Sequence, residues 1–269
     1  MKNIFTYISE QIAYLPLISR MSKYNTKNNY QNFILGRIWQ YANPIIMATF
    51  YYIVFGFIFK RSLGATEVPY LPWMLVGMAI WGLTNGTVLQ SLGSIIGQLN
   101  LSNEFRFPVS ISPTITFIGN IVESLVGLFV AAAVGWANGY YPSMYWFQLI
   151  YYFIAITAFT VSYSLLNATL TTIFRDYSQI VRSFSRIGMF ISGVMMNLQS
   201  DFIPSFVRRL VLLNPFYYLI EGMRDSLFSK AWFYDKLPAT LFFWTLTLFI
   251  LLLGTHLFYK NQETFRDYL

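Results

Sequence analysis

Four long runs without a charged residue decide which solvent this sequence folds in. The runs are Ile38–Phe59, Val68–Asn103, Ser124–Phe174 and Leu237–Tyr259. A helix needs about 20 mainly apolar residues to cross a hydrocarbon core that is roughly 30 Å thick. Each run is long enough for one crossing, and Ser124–Phe174 extends over parts of two. The sequence therefore predicts a protein that crosses a lipid bilayer several times.

The balance of residue types agrees with lipid as the main solvent. Charged residues make up only 11% of the chain and apolar residues 56%, whereas about 25% of the residues of an average soluble domain are charged. The net charge of +7 is spread between the runs instead of forming one basic face, which disfavours a nucleic-acid partner and favours contact with anionic membrane lipid. The absence of cysteine excludes disulfides and thiolate metal sites.

The pattern of runs and breaks predicts an all-α membrane protein with six transmembrane helices. The expected spans are Ile38–Phe59, Tyr70–Gln98, Thr114–Trp136, Phe147–Phe174, Ser183–Gln199 and Leu237–Tyr259. Six spans place both termini on the same side, and that side carries more Lys and Arg than the other. The positive-inside rule then predicts that both termini are cytoplasmic and that the chain lies in the cell membrane.

Two regions outside the spans have apolar residues of their own. The segment Ile4–Met21 shows helical spacing, which predicts an amphipathic helix in the membrane interface or a helix that docks on a partner. Residues 201–236 hold short apolar pieces broken by Pro204, Asn214 and Pro215. Pieces this short predict an extracellular re-entrant hairpin between spans five and six. The alternative is a pair of amphipathic surface helices.

A search for catalytic patterns gives a negative result. The chain has no P-loop, no H-E-x-x-H and no G-x-S-x-G pattern, and its only histidine is His256. We therefore expect no enzyme activity and no metal site. Glu123 is the sole acidic residue deep within a predicted span, which makes it a functional candidate. It can equally be a buried structural carboxyl that pairs with Asn120, and without a second acid a proton relay is disfavoured.

Small and aromatic residues recur at informative positions. Gly82 with Gly86, and Gly93 with Gly97, have the spacing that lets two helix backbones approach closely, and we expect them to pack against another span of the same chain. The tryptophans, Trp73 among them, fall near predicted membrane boundaries. An aromatic belt explains most of these, and a minority are candidates to stack on sugar rings in a transport path.

Several short motifs occur in a recognisable order. They are Leu35-Gly36-Arg37-Ile38-Trp39 with Asn43-Pro44, then Phe107-Pro108 and Pro113, Arg175-Asp176, Asn214-Pro215, and the segment Gln262–Leu269. This order resembles the membrane subunits of ABC-2 type exporters, and it is most similar to the wall teichoic acid translocation permeases. The resemblance extends over nearly the whole chain and implies one transmembrane domain, residues 1–269.

The resemblance implies how such a subunit works. Two permeases form a homodimer and pair with two separate ATPase subunits, which hold ATP and magnesium, so this chain itself carries no cofactor. Residues 1–30 correspond to a gating helix and residues 99–112 to a coupling helix that the ATPase grips. The residues expected to couple to the ATPase are Asn103, Glu104, Phe105, Arg106, Phe107 and Pro108.

The cargo that the resemblance implies is undecaprenyl-diphosphate-linked wall teichoic acid, flipped across the cytoplasmic membrane. An exporter of O-antigen or capsular polysaccharide is the alternative with the same architecture. The residues expected to contact substrate are Arg20, Arg37, Trp39, Asn43 and Glu123. Arg20 and Arg37 are candidates to bind the diphosphate through charge-assisted hydrogen bonds, or else they are positive anchors at the membrane surface.

Other classes of membrane protein fit less well. A secondary transporter is expected to show repeated halves with broken helices at matched positions, and a membrane-embedded transferase needs paired acids or a histidine base. Neither pattern is found. A drug-efflux permease of the ABC-2 type is disfavoured because the extracellular connections are short.

Overall fold

A computed structural model describes residues 2–36, 38–51, 53–54, 68–102, 107–200 and 203–265, and within these ranges all regular structure is helical. This confirms the all-α prediction. Short 3₁₀ turns lie at Val109–Ile111, Met144–Phe147 and Phe233–Lys236, and each directly precedes a long α-helix. The helices, in chain order, are α1 (Lys2–Ala13), α2 (Leu15–Tyr30), α3 (Ile38–Tyr51), α4 (Tyr70–Ser91), α5 (Ser94–Ser102), α6 (Ser112–Ala137), α7 (Gln148–Ile173), α8 (Tyr177–Ile191), α9 (Ser205–Val211), α10 (Pro215–Leu227) and α11 (Leu237–Asn261).

Three stretches of the described chain are long and apolar enough to cross a membrane. They are Val109–Ala137, Met144–Ile173 and Phe233–Asn261, each a 3₁₀ turn continued by a helix. They match predicted spans three, four and six, because each has at least one face made of Leu, Ile, Val, Phe or Ala without an interrupting charge. The membrane prediction is therefore supported by length and composition, while the count of six spans is not confirmed.

The helix at the centre of the bundle is α4, which packs against α6, α7 and α10. Met74, Val76 and Ile80 are completely buried there. Predicted span two is in fact two helices, because the chain turns at Leu92 and Gly93 before α5 begins. Glycine is a poor helix former, which favours a break at that point. Since protein covers most of α4, this helix does not need a continuous lipid-facing surface.

Predicted spans one and five differ from the structure. Of predicted span one, α3 and residues 53–54 are described, whereas residues 52 and 55–59 lie outside the described ranges. Predicted span five, Ser183–Gln199, is wrong in its bounds, because α8 starts at Tyr177 and ends at Ile191. Gly193 adopts a positive φ of 69° just after it, a conformation that ends helices. At about 22 Å, α8 is shorter than the hydrocarbon core.

The region 201–236 contains two helices joined at Asn214, except that residues 201 and 202 are not described. α9 is largely exposed, whereas α10 is buried against α4 and α7. Asn214 caps α10 by accepting a hydrogen bond from the Phe216 amide at 3.0 Å, and Pro215 occupies the first turn. Pro204 directly precedes α9. These residues start helices, as such types are known to do, and re-entry into the membrane stays a prediction.

The bundle has two distinguishable ends. At the junction end, α1 and α2 lie against the start of α6 and the end of α11, and a small core of Ile18, Ile111 and Ile115 fastens α2. At the hairpin end, α10 lies against the starts of α4, α7 and α11. The main hydrophobic core runs between the two ends around α4 and α7.

Candidate functional site

A continuous groove follows one side of α4 and α5, and we call it the glycine groove. Its part at the junction end is a basin of about 740 Å³ between α2, α5 and α6. Its middle part is a cleft of about 490 Å³ between α3, α4 and α6. Gln90 and Asn120 line both parts, so the two spaces adjoin. The groove therefore runs from the junction end into the middle of the bundle.

The four glycines of the two spaced pairs line this groove. Gly82 and Gly86 lie in the middle cleft, and Gly93 and Gly97 lie in the basin. A Cβ atom added at any of the four meets no atom of the described chain within 4 Å. Within the described residues, no other span packs against these four glycines, which differs from the prediction. Without side chains, this face of α4 and α5 exposes its backbone to whatever occupies the groove.

Glu123 and Asn43, both predicted substrate contacts, line the middle cleft together with Trp81. The Asn120 amide donates to the Thr87 hydroxyl at 3.2 Å, so the alternative in which it pairs with Glu123 is not what the structure shows. Glu123 is only partly buried, and its carboxyl belongs to the wall of the cleft. This placement makes it available to a ligand in the groove.

The other predicted substrate residues do not meet there. Arg20 is exposed on α2, and Trp39 is half-buried on α3, and neither lines the groove. Arg37 lies outside the described residues. The structure adds polar residues that sequence reasoning missed, above all the amides of Asn25, Gln90 and Gln98. Their signal in the sequence was weak, because isolated amides between apolar residues are common in helices.

The predicted coupling helix is only partly described. Residues 103–106, and with them Asn103, Glu104, Phe105 and Arg106, lie outside the described ranges. Phe107 and Pro108 are extended and line a cavity of about 660 Å³ at the junction end, and the chain then makes a 3₁₀ turn into α6. The described part is thus the end of α5 and a short connection, not one continuous helix.

Glu10 ties three segments together at this cavity. Its carboxylate accepts hydrogen bonds from the hydroxyls of Ser110, near the end of the predicted coupling helix, and of Tyr259 in α11, the latter at 2.8 Å. Next to it, Gln11 accepts from Thr114 at 2.7 Å. Burial raises the pKa of the Tyr7 hydroxyl on the same helix, so that it stays neutral. The sequence signal that was missed is that Glu10 is the only acidic residue of segment 1–30.

At the hairpin end, the Arg224 side chain is 1% exposed. Its guanidinium lies 3.3 Å from the ring centroid of Trp73 and donates to the Trp73 carbonyl at 3.0 Å. It also donates to the carbonyls of Gly193 at 2.8 Å and Val194 at 3.0 Å, and pairs with Glu221. Trp73, which was predicted to lie in an aromatic belt, is instead buried in the bundle. Together, Arg224 and Trp73 join α4, the turn after α8, and α10.

An aromatic cluster beside Arg224 closes the hairpin end. The Tyr218 hydroxyl lies 2.8 Å from that of Tyr151 and 3.0 Å from that of Thr240. The Tyr151 ring stacks on Phe233 at 4.3 Å, and the indole of Trp244 donates to the Tyr151 hydroxyl at 2.9 Å. The rings of Tyr151, Tyr218 and Trp244 are hydrogen-bonded within the bundle and Phe233 is stacked on Tyr151, so these rings are structural and are not free to stack on sugar.

Residues 16–228, well over half of the chain, match the family model described as ABC-2 type transporter. The chain belongs to the ABC-2 type transporter family. Members of this family are membrane subunits whose ATPase is a separate partner. The O-antigen export system permease protein RfbA of Klebsiella pneumoniae is 25% identical to this ABC-2 subunit over 247 residues, which cover 90% of this chain and 91% of the relative.

Two further relatives extend the comparison. The O-antigen export system permease protein RfbA of Myxococcus xanthus is 23% identical over 235 residues, which cover 86% of this chain and 85% of the relative. The inner membrane transport permease YadH of Escherichia coli is 24% identical over 196 residues, which cover 70% of this chain and 76% of the relative. The family assignment confirms the coarse prediction of an ABC-2 permease, while specificity for teichoic acid is not shown.

Proposed function

We propose that this chain is the permease subunit of an ATP-driven exporter that moves a lipid-linked polysaccharide across the cell membrane. The observation that carries the proposal is the glycine groove. Its basin is lined by amides and hydroxyls and leads into an otherwise apolar bundle. A polar polymer needs a shielded polar path through hydrocarbon, because unpaired polar groups are costly there. The ABC-2 family supplies the class of transporter, and the relatives named for O-antigen export supply the class of cargo.

The cargo of the proposal is a polysaccharide of the O-antigen kind. This was the alternative of the sequence analysis, and the names of the relatives favour it over wall teichoic acid. The remaining parts of the prediction belong to the same proposal. They are a homodimer, two ATPase subunits that bind ATP and magnesium at the junction end, cytoplasmic termini, a gating helix in residues 1–30, and a coupling segment in residues 99–112.

Deletion and complementation test the proposal in cells. We expect a strain without this permease to accumulate lipid-linked polymer inside and to lose it from the surface, measured by gel electrophoresis of surface polysaccharide. The full chain on a plasmid restores the surface polymer. An unchanged surface polysaccharide in the deletion strain contradicts the proposal.

Co-purification tests the dependence on a partner. The permease is purified with the ATPase encoded in the same strain, and ATP hydrolysis is measured for the complex and for each subunit alone. We expect the complex to hydrolyse ATP and the permease alone to be inactive. Export that continues without the ATPase, and stops when the proton gradient is collapsed, indicates a secondary transporter instead.

A further inference from the structure

The walls of the basin, the part of the glycine groove at the junction end, consist mainly of amides and hydroxyls. The amide side chains of the basin are Asn25, Asn28, Asn29, Gln90, Gln98 and Asn120. An amide offers both donors and an acceptor, and a sugar hydroxyl likewise donates and accepts. Lined this way, the basin matches a hydroxyl-rich molecule without requiring charge on either side.

Gln98 carries a polar atom that lacks a partner. Its side chain is only 7% exposed, it lines the basin, and its Oε1 accepts no hydrogen bond within the described chain. The hydroxyl of Ser94, one turn earlier on the same wall, is also unpaired. A buried acceptor without a donor is unfavourable. A ligand hydroxyl that reaches Gln98 Oε1 from the basin would supply the missing donor.

The bare helix face lies alongside these unpaired atoms. Gly93 and Gly97 are exposed in the basin, with open space where a Cβ atom would point. A flat ring can therefore approach the backbone more closely here than at a wall of ordinary side chains. The shape of the wall suits a pyranose ring, and its unpaired polar atoms suit the ring's hydroxyls.

Charge is scarce along the same path. Among the described residues, Arg182 is the one basic side chain that lines the groove, and Glu123 is the one acidic side chain. Phosphate groups are usually bound by Arg or Lys, whose charge and donors match them. Among the described lining residues, a polymer with a phosphate in every repeat meets one cation, Arg182, at the basin and one carboxyl, Glu123, in the middle cleft. The groove is therefore poorly complementary to a polyanion.

We propose that the glycine groove binds a neutral, hydroxyl-rich glycan segment, so that the polymer this permease moves has an uncharged repeat. The inference rests on the proposed function and narrows its cargo. It separates the two cargoes of the sequence analysis, because a neutral glycan of the O-antigen kind fits the groove and a poly(glycerol phosphate) or poly(ribitol phosphate) chain does not.

Substitutions at Gly97 that differ mainly in charge test, in cells, whether the cargo is neutral or negatively charged. Gly97→Asn and Gly97→Asp have nearly the same shape and differ by one negative charge, and Gly97→Lys adds a positive charge. With a neutral cargo, export by Gly97→Asp stays within about twofold of Gly97→Asn. With a polyanionic cargo, Gly97→Asp falls at least about tenfold below Gly97→Asn while Gly97→Lys does not, and this result overturns the inference. The same pair at Gly93 covers the case in which one position does not tolerate a side chain.

Gln98→Met tests the role of the unpaired amide and is similar in size. Because no hydrogen bond of Gln98 Oε1 is lost in the empty groove, we expect the melting temperature of the purified protein to stay equal or rise, while export falls several-fold. A parallel loss of stability and export indicates a structural residue and contradicts a ligand contact.

A binding assay separates this inference from the proposed function. The purified full chain in lipid nanodiscs is mixed with neutral dextran oligosaccharides or with a glycerol-phosphate oligomer, and hydrogen exchange of α5 is measured. Slower exchange with the neutral oligosaccharide supports a neutral-glycan site in the groove, and an unchanged surface polymer in the deletion strain would then contradict the proposed function alone. Protection by the phosphate oligomer, or by neither, contradicts it. If the deletion strain loses its surface polymer and the groove binds the glycerol-phosphate oligomer, the proposed function is supported. The inference that the cargo is neutral is then contradicted.

Discussion

Arg224 is a charged residue that acts as a structural tie. A guanidinium has five donors in a rigid plane, so one side chain can serve several acceptors at once and stack on an aromatic ring. Here it serves three backbone carbonyls and Glu221 and lies over Trp73. The space around it is tight, since a Cβ at Gly77 comes within 2.5 Å of its Nη2. No smaller cation fills the same role.

Arg224→Met is expected to destabilise the protein strongly. Removing one partner of a buried, hydrogen-bonded charge costs about 3–5 kcal/mol, because the carbonyls and Glu221 are left without a donor. The measurement is the melting temperature in nanodiscs, followed by size-exclusion fluorescence. Arg209→Met is the control, since Arg209 is exposed on α9, and we expect it to have no effect. Equal behaviour of the two variants contradicts the assigned role of Arg224.

Glu10→Ala is expected to uncouple ATP hydrolysis from export. The substitution removes the acceptor shared by Ser110 and Tyr259, and with it the polar link between α1, the coupling connection and α11. In the purified complex we expect hydrolysis to stay within about twofold while export falls about tenfold, as for a typical coupling energy of 1–3 kcal/mol. Glu263→Ala is the matched control, because Glu263 is an exposed acid on the same cavity. A parallel fall of both rates contradicts the link.

At the scale of the element, α2 shows how a short amphipathic helix is held on a membrane bundle. Its apolar residues are few, and its attachment rests on Ile18, which is completely buried against Ile111 and Ile115. Ile111 lies near the end of the coupling segment, and Ile115 lies in the first turn of α6. The helix proposed to gate the transporter is therefore packed directly on the segment proposed to receive force.

Ile18→Ala is expected to loosen α2 without unfolding the bundle. Large-to-small changes in a packed core cost about 2–5 kcal/mol, and the loss here falls on a small core separate from the main one. Hydrogen exchange of residues 15–30 is expected to accelerate, while exchange in α7 stays unchanged. Ile12→Ala is the control, because Ile12 is 70% exposed. Faster exchange throughout the bundle contradicts a local attachment.

The elements that could be predicted from the sequence are those whose environment is uniform. α6, α7 and α11 are apolar along most of their length, so hydropathy located them. α4 and α8 were harder, because α4 is buried by protein and α8 is amphipathic, and neither needs a continuous lipid-facing surface. The end of α8 depends on Gly193, whose conformation is fixed by tertiary contacts. Glu123 and Asn43 were placed in the candidate site by pattern alone, but the amides of the basin and Arg224 meet only through the fold.

At the scale of the whole molecule, the glycine groove is open on one side. Its rims are α3 and α8, and both helices expose large apolar residues such as Met47 and Ile187. A second copy that faces the groove across these helices closes the polar path from lipid and covers both apolar surfaces. We expect the homodimer of the proposed function to have this arrangement.

Single cysteines give a direct test of that arrangement, since the natural chain has none. Met47→Cys and Ile187→Cys are treated in membranes with a short thiol cross-linker, and we expect at least one of them to yield a cross-linked dimer on a denaturing gel. Leu248→Cys lies on the outer side of α11, where Leu248 is 55% exposed, and is expected to stay monomeric. Cross-linking through Leu248→Cys alone places the partner on the opposite side.

The tie at Arg224 also has a consequence for how the protein is made. The Nε of Arg224 and the Trp73 carbonyl that it contacts are 151 residues apart in the chain. During synthesis, α4 is made long before residue 224 leaves the ribosome, and its final neighbours at the hairpin end do not yet exist. Completion of the central helix is thus a late event of biogenesis, and a nascent chain stopped before α10 carries an unfinished core that quality-control proteases can recognise.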